Sequence, residues 1–162
     1  MSFAKQYLTV LLDSRRVIRS VTQQTAPLKT GSISLYDREV RVLCFSFVDE
    51  AGVAIAFAAG GAFDFSVDAV RAAKAESLLM AFVDDAAIND TDDWADADPT
   101  AGKIGVRVDC ATDLFAASLD LIDGEADIWC QLRMFPNGET NPCTLLIDSG
   151  FAYSNVIGRY VP

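Results

Sequence analysis

The sequence predicts an all-β fold, an antiparallel β-sandwich of immunoglobulin-like or jelly-roll type. Three observations carry that reading. Apolar residues alternate with a period of two in run after run, turn-forming residues separate the runs, and helical spacing is confined to short stretches. At 162 residues, with 51% of them hydrophobic, the chain is long enough to close a core between two sheets.

Taken in order, the first apolar run is Tyr7–Leu12, read as a strand, although Tyr7, Leu8, Leu11 and Leu12 would also share a helix face. Residues 13–32 are the least hydrophobic part of the first half, and Thr22-Gln23-Gln24-Thr25-Ala26-Pro27 reads as an extended connector. The chain is therefore expected to divide into an N-terminal strand and arm, residues 1–30, and a sandwich domain, residues 31–162. The arm is the element expected to reach onto a neighbour. Ile33–Tyr36 is a short strand. In Val40–Val48 both faces are apolar, Val40, Val42 and Cys44 opposing Leu43, Phe45 and Phe47, as in a strand covered on both sides.

Asp49-Glu50-Ala51-Gly52 ends that strand with a turn, and Gly60-Gly61 precedes the next. Phe63, Phe65 and Val67 then alternate with Asp64, Ser66 and Asp68, the pattern of a half-exposed strand. Leu78–Val83 is a further strand. Ile104, Val106 and Val108 alternate with Lys103, Arg107 and Asp109, and Ile128, Cys130, Leu132 and Met134 with Trp129, Gln131 and Arg133. Pro136-Asn137-Gly138 contains an Asn-Gly pair suited to a hairpin turn with positive φ. It predicts that Glu125–Phe135 pairs antiparallel with a strand around Thr144–Ile147, and a last strand follows at Phe151–Val156. Short helices are expected at Val70–Ala75 and Leu114–Leu121, the second capped by Thr112 or Asp113.

Composition excludes several functions. A formal charge of −10 disfavours nucleic acid, whose binding draws its affinity from Lys and Arg, and anionic membrane surfaces for the same reason. The most apolar stretch, Val53 to Gly61, is too short to cross a bilayer. Met1–Leu12 runs directly into Asp13, Arg15 and Arg16 with no small-residue cleavage site, so a secretory signal is not expected. Cys44, Cys110, Cys130 and Cys143 form no CxxC pair, and the chain has no histidine. Reduced, mostly buried thiols are expected rather than disulfides or a zinc site.

The densest cluster of chemical groups is the acidic run from Asp84 to Asp98. Its hard oxygen ligands could hold Ca²⁺, with Asp90, Asp92 and Asp96 the candidates. The EF-hand pattern fails, because counting from Asp90 the sixth position is Ala95 where the loop needs Gly. A solvated loop without metal is the plainer expectation, and Trp94 within it is expected to pack on the sandwich rather than stand exposed. A Ser-His-Asp or Cys-His arrangement is impossible without histidine. Asp64, Asp68, Glu125 and Asp127 could in principle supply a glycosidase's two carboxylates, yet each sits on the polar side of an alternating strand, as on any wetted sheet. No catalytic residues and no cofactor are assigned.

The order of segments resembles the N-terminal β-sandwich module of siphophage upper-baseplate proteins and related phage tail proteins. The resemblance spans residues 28–156. Leu28-Lys29-Thr30-Gly31-Ser32 stands as the basic-Gly connector before Val40–Val48 and its acidic-Gly turn, and Val53-Ala54-Ile55 and Phe63–Val67 follow. Gly102-Lys103-Ile104-Gly105-Val106-Arg107-Val108 matches the Gly-initiated strand, Asp127–Phe135 the aromatic strand and Leu145–Tyr153 the closing one. Ser32 replaces the usual Asp, and the 84–98 loop is longer and more acidic than the module requires. The resemblance implies a non-enzymatic virion component, assembled in the host cytoplasm, whose partners are copies of itself and other tail proteins. The competing expectation is a carbohydrate-binding β-sandwich, Ca²⁺-dependent through the acidic loop, with Trp94 or Tyr153 as its stacking platform.

Overall fold

The computed structural model describes residues 3–13, 18–23, 33–36, 39–58, 60–68, 78–83, 87–110, 125–135 and 142–153. These form nine strands: β1 (Ala4–Leu12), β2 (Ile18–Gln23), β3 (Ile33–Tyr36), β4 (Val40–Val48), β5 (Ala62–Asp68), β6 (Leu78–Val83), β7 (Lys103–Asp109), β8 (Glu125–Phe135) and β9 (Cys143–Tyr153). A four-stranded sheet runs β2-β1-β4-β7 and a five-stranded sheet β3-β9-β8-β5-β6. The result is the expected β-sandwich. Both segments expected to be helical lie outside the described residues; within them the one helical element is a 3-10 turn at Pro99–Ala101.

The alternation places the core. Leu8, Val10 and Leu12 of β1, Leu43, Phe45 and Phe47 of β4, and Ile104, Val106 and Val108 of β7 face inward from the first sheet. Phe63, Phe65 and Val67 of β5 with Ile128, Cys130 and Leu132 of β8 meet them from the second. Phe45 bridges the layers, its ring centroid 6.5 Å from that of Phe65 and 6.2 Å from that of Phe47. β8 pairs antiparallel with β9, Arg133 opposite Thr144 and Gln131 opposite Ile147, as the Asn-Gly signal predicts. The two expected C-terminal strands are one continuous element, β9.

Three features differ from the sequence expectation. Pairing is not wholly antiparallel: β1 runs parallel to β4, and β3 parallel to β9. The chain doubles back through β2 and visits the other sheet as β3 before it returns to lie beside β1. Residues 18–23, expected within a connector, are β2, paired with β1. β1 is thus an interior strand of the first sheet, and residues 4–23 contribute two of its four strands. Asp64 and Asp68, expected on a wetted face, are buried.

Side chains of the first sheet close the outer edge of β3. Gln6, almost wholly buried, accepts a hydrogen bond from the Ser34 N–H through Oε1 at 3.1 Å. Arg41 donates to the Ser34 carbonyl at 3.2 Å, pairs with Glu39 at 2.9 Å, and lies 4.7 Å from the Tyr36 ring centre. Both backbone groups of Ser34 are therefore satisfied from the opposite layer. Paired with β9 on one side, this four-residue edge strand is closed on the other by two polar side chains rather than by a second strand.

The corner where β4 ends and β7 begins depends on one glycine. Gly102 closes the 3-10 turn in the left-handed region, with φ of 74°. Its N–H donates to Pro99 and its carbonyl accepts from Phe47 at 2.8 Å. A Cβ there would stand 2.6 Å from the Ile55 carbonyl oxygen and 2.9 Å from that of Phe47, both backbone atoms that cannot swing away. Gly102→Ala is expected to destabilise the fold by about 3 kcal/mol, the sum of left-handed strain and steric clash. Gly52→Ala, with φ of 80° but open space around it, should cost only about 1 kcal/mol. Urea denaturation of the two variants separates them, and equal losses would refute the steric account.

Candidate functional site

From Ala87 to Asp98 the acidic run is a folded cover rather than a free loop. Residues 87–89 add to the outer edge of β7. Ala87 accepts from the Arg107 N–H at 2.8 Å, and Asn89 donates to the Gly105 carbonyl at 2.7 Å while its side chain accepts from the Gly105 N–H. The chain then turns over the outer face of the first sheet. Tyr7 of β1, Cys44 of β4 and Gly105 of β7 stand side by side in register on that face. Trp94 lies across the row, 6% exposed, with its ring edge-on to Tyr7 at 6.3 Å between centroids. Gly105 leaves the room for it, since a Cβ there would sit 3.3 Å from the indole. Val42, Cys44, Trp94 and Ala97 form a second core on this outer face, with Phe3 and Tyr7 against it.

The carboxylates hold the cover in shape. Asp90 accepts from the Asp92 N–H through Oδ1 at 2.9 Å, and its carbonyl accepts from the N–H groups of Asp93 and Trp94. Asp93 takes a forked pair of hydrogen bonds from Arg107 at 3.0 and 3.2 Å. Asp98 caps the 3-10 turn, accepting from the Thr100 N–H and hydroxyl. Of the candidate calcium ligands, Asp90 is committed to its turn while Asp92 and Asp96 lie exposed on the rim. Among the described residues no three His, Cys, Asp or Glu side chains gather around a common point. Hard-cation sites need six or more converging oxygens, and this arrangement spreads them out.

The carboxylates considered for glycoside chemistry are likewise dispersed. Asp64 on β5 is directly opposite Arg133 on β8 and receives hydrogen bonds from both its Nε, at 2.9 Å, and an Nη. That bond raises the Arg133 pKa above its ordinary value. Asp68 is buried four residues further along and opposite Trp129, and Asp127 is exposed. Asp64 is thus committed to a cross-strand ion pair with Arg133. The side chains of Glu125 and Tyr153 lie outside the described residues. Sequence reasoning missed Arg107, which clamps the loop; its outward position on β7 next to a run of aspartates was the available signal.

Cys44, Cys110 and Cys130 are buried free thiols and Cys143 is an exposed one. Burial beneath Trp94 pushes the Cys44 thiol up to about 12, with Lys5 lowering it and Asp96 raising it. The thiol is inert at neutral pH.

No family model matches the sequence, and no curated protein matches it. Among solved structures, the N-terminal domain of phage TP901-1 ORF48 is 11% identical, with 93% of this chain and 98% of that one covered and a TM-score of 0.40. An inclusion body protein, PixA, from Burkholderia cenocepacia J2315 is 8% identical, with 95% and 97% covered and a TM-score of 0.30. No helix among the described residues is long and apolar enough to cross a membrane.

Two predictions follow from the loop. The first concerns pH. Between the ordinary thiol value of 9.0 and about 12, the unfolded chain has lost a proton that folded Cys44 keeps. Stability is therefore unaffected by this group below pH 9 and falls above it, by at most about 1.4 kcal/mol per pH unit. Cys44→Ala should be less stable at pH 7 yet show a shallower decline between pH 9 and 10.5; parallel slopes would contradict the assignment. The second concerns calcium. Millimolar Ca²⁺ should leave the melting temperature within about a degree, since a specific site would stabilise by mass action. A large rise abolished by Asp92→Asn with Asp96→Asn would show that the loop reorganises around an ion.

Proposed function

We infer that the chain is a non-enzymatic structural module of a phage tail or baseplate, built into the virion as a homo-oligomer in contact with other tail proteins. Synthesis and assembly take place in the host cytoplasm. The observation that carries the structural role is the fate of the polar groups. Asp90, Asp93, Asp98, Asp64, Arg107, Arg133, Gln6 and Arg41 are spent on turns, cross-strand pairs and edge closure. That leaves little of the converging, unsatisfied chemistry from which an active site is assembled. The tail context comes from the order of segments across residues 28–156, and reduced thiols fit assembly in a reducing compartment.

The carbohydrate-binding reading loses Trp94, one of its two platform candidates. Trp94 is buried against the sheet, in contact with Tyr7 and Gly105. Stacking on a sugar would require the loop to lift.

The test is the mass in solution. Light scattering after size exclusion should give one discrete oligomer at micromolar concentration, unchanged by mono- and oligosaccharides. A monomer at all concentrations that binds an oligosaccharide, with the affinity lost in Trp94→Ala or Tyr153→Ala, would replace this reading with the sugar-binding one.

A further inference from the structure

After the tight turn in which Asp49 accepts from the N–H groups of Ala51 and Val53, residues 53–58 run extended beside the end of β4. They take the place of β7 there: Ile55 donates to the Phe47 carbonyl at 3.0 Å, and Phe57 donates to that of Pro99 at 3.0 Å. Ile55 and Phe57 are buried in the core, and the Phe57 ring is edge-on to Phe47 at 5.5 Å. Ala54, Ala56 and Ala58, which alternate with them, are exposed, as is Val53 at 60%. The N–H and C=O groups of Ala54 and Ala56 make no hydrogen bond among the described residues. This is a strand edge with one side bonded to β4 and to Pro99 and the other open among the described residues. It bears methyl groups where the edges of β3 and β7 carry charge or cover.

We propose that this edge pairs with the same edge of a second copy of the chain, antiparallel about a two-fold axis at Ala56. Open backbone donors and acceptors in an extended segment specify another extended strand as the occupant. Charge selects a second copy and sets its direction. The molecule carries a net −10, so two copies approach most easily where neither is charged, and no charged residue occurs between Glu50 and Asp64. In antiparallel register Ala56 faces Ala56, Ala54 faces Ala58, and the two Asp49-Glu50 turns lie at opposite ends of the paired segment. A parallel register would instead bring the two Asp49-Glu50 turns together. The outward backbone groups of Ala54 and Ala56 fall on alternate residues, as the closely spaced hydrogen-bond pairs of an antiparallel ladder require. The small side chains let the paired strands lie flat.

This deepens the homo-oligomeric reading by naming its contact, and the experiment separates the two. In a Cys143→Ser background, Ala56→Cys places two thiols across the axis at about 5.5 Å between Cα atoms, within disulfide range. Oxidised glutathione should convert this variant to a covalent dimer. Ala54→Cys, whose partner across the axis is Ala58, should stay uncrosslinked under the same conditions. Ala56→Glu, which sets like charges against each other, and Ala56→Pro, which removes the donor, should each weaken self-association about tenfold or more in sedimentation velocity. Their circular dichroism should be unchanged, because the substituted side chain is exposed. Ala95→Glu, on the exposed acidic loop, serves as the control and should not change the association. An oligomer that survives both Ala56 substitutions, with no crosslink at position 56, overturns this edge while leaving the homo-oligomer standing. A monomer at every concentration overturns both.

Discussion

Strand β4 must be covered on both faces, and most of the molecule is arranged around that requirement. Leu43, Phe45 and Phe47 need the second sheet, and Val42 and Cys44 need something else. A two-layer sandwich has no third layer to offer, so the chain uses the acidic run. Burying an indole over Cys44 and Gly105 stabilises by roughly 2–3 kcal/mol. Each aspartate that satisfies a turn or the Arg107 fork adds about 1 kcal/mol or less. Repulsion among the remaining carboxylates, exposed and screened within about 8 Å at physiological salt, is smaller than that sum. A segment that looks destined for solvent therefore folds down.

The same requirement explains what could be read in advance. Period-two alternation located Ile33–Tyr36, Val40–Val48, Leu78–Val83 and Glu125–Phe135 because register and burial act on those residues directly. β2 escaped notice for a definable reason. Its pairing with β1 shifts register between Leu11 and Leu12, so that Ser20 faces Leu11 while Ile18 faces Leu12. A bulge of this kind breaks the alternation on which a strand is recognised. The parallel pairings were illegible because nothing local to β1 or β3 encodes the direction of a strand that arrives thirty or a hundred residues later.

Polar positions were the harder part. Asp64 reads as the wet half of an alternating strand, yet its partner Arg133 is 69 residues away, and their cross-strand fork exists only once β5 and β8 are side by side. Gln6 is similar, a polar residue on the inward face of β1 whose purpose is an N–H on β3, 28 residues on. Trp94 was legible because a large apolar ring among aspartates has a strong preference for cover. Its landing place was not, since it depends on Gly105 and Cys44 meeting in adjacent strands.

Edges show how far this economy goes. β3 is closed by Gln6 and Arg41, and β7 by residues 87–89, each with a device made for that strand. Against two protected edges, the open one at 53–58 is not explained by a want of means, for a single Lys or Pro at Ala54 or Ala56 would have blocked it without touching the core. Its inner half is anchored, with Ile55 and Phe57 buried and bonded through their N–H groups, and with Gly102 admitting only hydrogen beside the Ile55 carbonyl. The segment is thus anchored on one side and, among the described residues, unsatisfied on the other. That combination keeps the ordering cost of pairing low, because the strand is already held in the conformation a partner strand needs.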